Sequence, residues 1–253
     1  MILRKLRWLA AVALALAAPA VSQAGIQILV QESGGPEMIF NGSVTNYATT
    51  NFTGINIGST PNSGAISSLT TTVRATPIVG FDPNASLRIV VISDDFTTPP
   101  ANVNGPAVVE NNAAASSGIG GGSNVLSNTT QLFALPLSPA TGQTATQAGG
   151  TTLGAATATA TDVRSSGGGG GVSPTTTSNI MGMPSAFAIQ QTITVRAEVD
   201  PNGGGIATGS TLGGSASSLV STSPAPVPAP PAILLALAAV PALGLRRMLA
   251  KKA

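Results

Sequence analysis

Two residue types are missing from this 253-residue chain altogether, cysteine and histidine. Without cysteine there is no disulfide, no thiolate-bound zinc and no thioether-linked lipid anchor. Without histidine there is no Ser-His-Asp triad, no imidazole metal ligand and no ordinary proton shuttle at neutral pH. Charge is scarce as well: 8% of residues are Asp, Glu, Lys or Arg. The lysines are confined to the ends (Lys5, Lys251, Lys252), so a Ser-Lys pair is excluded from the body. Aromatic residues make up 3%; the one tryptophan, Trp8, lies in the first apolar run, and Tyr47 is the one tyrosine. That leaves little platform for stacking sugar rings.

What remains is rich in Gly, Ser, Thr, Ala and Asn. Such a composition suits thin β-structure with polar loops better than a helical enzyme. The computed pI of 9.5 comes from the ends. Arg4, Lys5 and Arg7 precede the first apolar run, and Arg246, Arg247, Lys251 and Lys252 follow the last. Between them Arg74, Arg88, Arg164 and Arg196 face nine acidic residues, a formal charge of −5. A body of that sign cannot displace counterions from phosphates, which excludes nucleic acid as a partner.

Residues 1–24 follow the grammar of a secretory signal peptide. A basic start precedes the apolar run Trp8 to Ala18, then Pro19 and the small-residue exit Ser22-Gln23-Ala24. Cleavage is expected between Ala24 and Gly25, through the general secretion machinery. The alternative, an uncleaved anchor, is opposed by an apolar core too short to span hydrocarbon.

The C-terminus has three parts. Pro-rich residues 223–231 lead into the uncharged run Ala232 to Leu245, and Arg246, Arg247, Lys251 and Lys252 form a basic stop. As a helix the run covers about 21 Å, short of a hydrocarbon core of about 30 Å. It is expected to be a short transmembrane helix in the inner membrane, with its basic end cytoplasmic and the body outside. Val227-Pro228-Ala229-Pro230, with the helix and basic end behind it, resembles the PEP-CTERM sorting signal of bacterial exosortase systems; Ala229 stands where that family has Glu. The resemblance covers residues 227–253. It implies processing near the motif by a membrane exosortase-type enzyme and release to the cell surface or extracellular matrix. The alternative is an ordinary tail anchor after a Pro-rich linker.

Between the ends the periodicity is two. Ile189, Gln191, Ile193, Val195, Ala197 and Val199 share one face of a strand and Gln190, Thr192, Thr194, Arg196 and Glu198 the other. Ile26, Ile28 and Val30 alternate with Gln27 and Gln31, and Leu69, Thr71, Val73 and Ala75 share one parity. Leu87 to Ile92 is apolar on both faces except for Arg88, the mark of a central strand; Leu132 to Leu135 is a short run stopped by Pro136. Thr157, Thr159 and Thr161 alternate with alanines in a strand of little bulk. Eight or nine such strands predict an all-β fold, an antiparallel β-sandwich or jelly roll. The domain is expected over 25–202, with a core of Phe40, Phe52, Phe81, Phe96, Phe133 and Phe187, followed by a Gly/Ser/Pro-rich linker over 203–226. Residues 111–124, 138–150 and 165–178 read as loops.

Candidate chemistry is thin. Asp82-Pro83-Asn84 and Asp200-Pro201-Asn202 repeat one tripeptide, and Asp94-Asp95 is a paired carboxylate. These oxygens suit calcium, yet Asp-Pro-Asn is equally a turn signal at strand boundaries, the reading preferred here. Asp94, Asp95, Glu110 and Glu198 are the carboxylates from which a glycosidase pair would be drawn. No catalytic, cofactor or metal residues are assigned. The expected function is that of a non-catalytic exported surface or matrix protein. The alternative is a secreted carbohydrate- or surface-binding module, with exopolysaccharide as its partner.

Overall fold

The computed structural model describes residues 25–64, 66–117, 122–135, 151–164, 170–198 and 211–224. The expected cleavage position at Ala24, the motif Val227-Pro228-Ala229-Pro230, the short helix and the basic stop lie outside them; Gly25 is the first described residue. Among the described residues no helix is long and apolar enough to cross a membrane.

Among the described residues thirteen strands form two antiparallel sheets: β1 (Gln27–Glu32), β2 (Glu37–Asn41), β3 (Val44–Tyr47), β4 (Phe52–Asn62), β5 (Ile66–Pro77), β6 (Ser86–Thr97), β7 (Ala107–Ser117), β8 (Gly122–Ala134), β9 (Thr152–Arg164), β10 (Gly170–Val172), β11 (Thr176–Ile180), β12 (Ala186–Glu198) and β13 (Leu212–Thr222). One sheet runs β2-β1-β6-β12-β8-β9; the other runs β10-β7-β13-β5-β4-β3, with β11 also on β7. The all-β sandwich is as expected, and the chain changes sheet after β2, β5, β6, β7, β9, β11 and β12.

Four boundaries differ from the sequence expectation. Residues 212–222, assigned to the linker, form β13, which lies between β7 and β5 in mid-sheet; the domain runs to Thr222 rather than stopping at residue 202. Residues 111–117 belong to β7 rather than to a loop, and 170–172 and 176–180 are edge strands. The run at Leu132 is the end of the long strand β8. One cause underlies all of these. Most of their inward positions carry Ala, Ser, Asn, Thr or Gly, with only scattered larger residues such as Leu212, Val220 and Ile180, so the alternation is there but little of the hydrophobicity that makes it visible.

The core is wedge-shaped. At its thick end the fully buried Phe52, Ile55, Ile57, Leu69, Leu87, Ile89, Phe96 and Phe187 fill the gap, with Phe96 and Phe187 stacked at 5.6 Å between ring centroids. Phe40 and Phe81 pack on this core from its margin, only partly buried. At the thin end the inward residues are Ala113 and Ala115 on β7, Ala156, Ala158 and Ala160 on β9, and Ala216 on β13. There the two sheets come closest, β7 against β8 and β9. Central strand β6 is apolar on both faces, as its sequence predicts. Leu87, Ile89 and Val91 enter the main core, while Val90 and Ile92 join Leu29, Phe133 and Ala188 in a second buried cluster on the opposite face.

A polar seam threads the interior. Gln191, on the core side of β12, donates to the Leu69 carbonyl (2.8 Å) and the Ser218 hydroxyl (2.7 Å) and accepts from Thr71 (2.5 Å). Ser218 in turn meets Thr130 at 2.6 Å. Asn111 Nδ2 donates across the gap to the carbonyls of Asn128 (2.8 Å) and Ala156 (3.0 Å), and its Oδ1 accepts from Asn128 Nδ2. Asn124 Nδ2 bonds the Gly213 and Ser116 carbonyls at 2.8 and 3.0 Å. Buried amides are stabilising only when so paired, because an unpaired one costs its full desolvation.

Glu32 plays the corresponding part at one end of the sandwich. It is 6% exposed and accepts from Asn51, through the backbone N–H at 3.1 Å and through the side-chain amide. Asn51 in turn accepts from the N–H groups of Asp82 (2.7 Å) and Ile78 (3.0 Å). Burial works against the Glu32 charge. Hydrogen bonds from the Thr49 and Asn51 side chains and from the Asn51 and Thr50 backbone outweigh it, holding the carboxyl below the ordinary 4.5. A lowered folded-state pKa means stability that is present above the unfolded value and lost as pH falls through the folded one. We therefore expect Glu32→Gln, which offers one acceptor in place of two, to cost about 1–2 kcal/mol at pH 7. The gap between variant and parent should close as both are titrated below pH ~4. Urea melts across pH 3–7 check this; a constant gap would mean that the Glu32 charge is not what the clamp uses.

Candidate functional site

Asp82 settles into a turn, as preferred from the sequence. Its Oδ1 accepts from the Asn84 N–H at 2.8 Å and its carbonyl accepts from the Ala85 N–H at 2.9 Å, which uses the carboxylate locally. Asp200 lies outside the described residues. Asp94 and Asp95 fall where β6 and β12 lose register, between the pairs Phe96↔Phe187 and Ser93↔Ile189. Among the described residues no group of three Asp, Glu, His or Cys side chains gathers where a metal could sit. Of the carboxylates considered for glycoside cleavage, Asp94 belongs to β6 and Glu110 to β7, in different sheets. Standing on different sheets, with one Asp94 carboxylate oxygen buried, they are not placed to flank one glycosidic bond.

The structure instead gathers a set of residues that sequence reading did not single out. On the outer face of the second sheet a trough crosses five strands. One part, of about 550 Å³, is lined by Thr72, Arg74, Ala114, Ser116, Gly213 and Ser215 on β5, β7 and β13. The other, of about 370 Å³, is lined by Thr45, Asn56, Gly58, Thr72 and Arg74 on β3, β4 and β5, and by Ser43 just before β3. Thr72 and Arg74 belong to both, which makes the two parts continuous.

Strand register explains the trough's direction. Arg74 pairs with Asn56 on one side and Gly213 on the other, and Gly213 pairs with Ser116; one row inward, Thr72 pairs with Gly58 and Ser215, and Ser215 with Ala114. The trough is therefore two residue rows wide and lies across the strands. Five strands at ~4.8 Å spacing give it a length of about 19 Å.

Two glycines shape it in different ways. A Cβ at Gly213 would stand 2.4 Å from the Val73 carbonyl oxygen, so only glycine fits there. Gly58 has open space, its Cβ position meeting only the Thr72 hydroxyl at 3.4 Å. At the far end the backbone turns through the positive-φ residues Asn46 and Gly54. Asn56 is fixed there by its bonds to the Gly54 carbonyl (2.7 Å) and from the Asn46 N–H (3.0 Å).

Arg74 is the trough's one cation. Its guanidinium is exposed, and it takes part in no ion pair among the described residues, whereas Arg88 pairs with Glu37 at 3.6 Å. The only other charged strand residue on this outer face is Glu110, opposite Leu219. Leu219 is six positions along β13 from Gly213, the partner of Arg74, about 20 Å at ~3.3 Å per residue.

No family model matches the chain, and no curated protein matches it. Among solved structures, murine APRIL at pH 5.0 aligns at 10% identity over 79% of this chain and 99% of its own, with a TM-score of 0.19. A family 11 carbohydrate-binding module from Clostridium thermocellum, in complex with a β-1,3-1,4-mixed-linked tetrasaccharide, aligns at 9% identity over 81% and 98%, with a TM-score of 0.20. A structure of carbohydrate-binding modules from the β-sandwich superfamily aligns at 11% identity over 76% and 72%, with a TM-score of 0.21. Likenesses at this level carry no argument about function.

Proposed function

We propose that the protein is a non-catalytic exported β-sandwich, sorted by an exosortase-type system and displayed at the cell surface or in the extracellular matrix. The observation that carries this reading is where the fold lies between the two export signals. The first strand begins at Gln27, just after the Ala24–Gly25 junction, and the last ends at Thr222, before Val227. Ser223 still donates its N–H to the Pro106 carbonyl at 3.0 Å. Removing residues 1–24 and the tail beyond the motif thus leaves every strand of the described residues whole. Both apolar runs would otherwise be exposed patches on a secreted domain.

Intact mass spectrometry of the extracellular form tests the proposal. A chain starting at Gly25 and lacking residues 232–253 is expected. A secreted or membrane-bound species that keeps Ala232 to Ala253 would favour the ordinary tail anchor.

The trough favours one addition, that the displayed domain binds polysaccharide. An open groove crossing a sheet, lined by hydroxyls, amides and glycine backbone, suits an extended chain of hydroxyl-bearing rings.

A further inference from the structure

We infer that the trough takes a carboxylated polysaccharide, one bearing uronate units, and that Arg74 is the residue that clamps a carboxylate. The inference rests on the reading of the trough as a polysaccharide-binding surface and adds the chemical class of the ligand.

Three observations carry it. First, among the described residues the one cation on this face stands where the two halves of the trough meet, and no carboxylate belongs to the trough's lining. An arginine fork presents parallel N–H donors that match a carboxylate in two-point geometry, which a neutral sugar hydroxyl cannot reciprocate. Second, Gly58 leaves the floor open near Arg74 and Gly213 lets the adjoining backbone approach closely beside it, while Thr72, Ser215 and Ser116 stand along it. A chain laid across the strands therefore reaches backbone and hydroxyl groups before and after the guanidinium. Third, the trough has no aromatic lining, so ring stacking, the usual source of affinity for neutral glycans, is absent and a charge-assisted contact has to supply it. A single such contact, unsupported by neighbours, is also salt-sensitive.

The test is binding of the secreted protein to immobilised polygalacturonate, to the same polymer with its carboxyls methyl-esterified, and to dextran, at low salt. Binding to polygalacturonate alone is expected, weakened about tenfold by Arg74→Gln and less by Arg74→Lys. Gly58→Leu, which fills the floor without backbone strain, should also weaken it. Arg88→Gln, on the other sheet, should leave it unchanged. Equal binding to acid and ester, indifferent to Arg74→Gln but lost in Gly58→Leu, would overturn the carboxylate and leave the trough as a neutral-glycan surface. Binding indifferent to both variants, or no binding to any of the three polymers, would overturn both readings.

Discussion

Ile193→Asp should bring the sandwich close to unfolding, while Thr194→Asp, one residue along, should leave it standing. Ile193 is fully buried in the core, on β12 between Ile89 of β6 and Asn128 of β8. A carboxylate there has no cation within the core and must either stay charged in a low-dielectric interior or take up a proton. The expected cost is about 3–5 kcal/mol, a large share of the 5–15 kcal/mol that domains typically hold. Thr194 faces outward between Arg88 and Ser127, so a carboxylate is solvated and sits beside a guanidinium. Its cost should stay within about 1 kcal/mol. Denaturant melts of the two variants give the comparison directly, with unchanged m-values expected. Equal loss in both would mean that β12 is buried on two faces at this level, and equal tolerance would remove it from the core.

Where large apolar side chains mark the alternation, the fold was legible from sequence. β12, β5, β1 and the doubly apolar β6 each follow from their residues, and so does the sandwich that buries them. Legibility failed where the sheets come close. β13 presents Gly214, Ala216 and Ser218 inward, with Leu212 and Val220 its only larger inward residues, and in sequence this resembles a linker. β7 presents Asn111, Ala113 and Ala115. A close pair of sheets has no room for Leu or Ile, so the chemistry that makes the thin end possible also hides it. The period-two pattern Asn124, Leu126, Asn128, Thr130, Leu132 on β8 was the signal available, had Asn and Thr been admitted as inward residues.

The trough was hidden for a different reason. Asn56, Arg74, Gly213 and Ser116 lie far apart in sequence, and only the register of four strands brings them to one level. Periodicity tells which way a residue faces, not which residue stands beside it on the next strand. The absences, by contrast, were informative throughout: a chain with no Cys, no His and few charges has to hold its thin end together with amides and hydroxyls.

That last point has a measurable consequence at Asn111 and Asn128. Both are fully buried, yet they are not equivalent. Asn111 sits on β7 and uses both amide hydrogens on the opposite sheet, at the Asn128 and Ala156 carbonyls, while its oxygen accepts from Asn128. Asn128 gives Nδ2 to Asn111 and, at 3.4 Å, to the Asn112 carbonyl, and its Oδ1 has no partner. Asn111→Ala therefore strands several groups at once and should cost about 2–4 kcal/mol, whereas Asn128→Ala also discards an unpaired oxygen and should cost about 1–2 kcal/mol. Because each single variant leaves the other's half of the shared bond unpaired, the double variant should fall short of the sum by about 1 kcal/mol or more. Urea melts of the four proteins measure the cycle. Strict additivity, or a larger loss from Asn128→Ala than from Asn111→Ala, would show that the amide of Asn111 does not stitch the two sheets together.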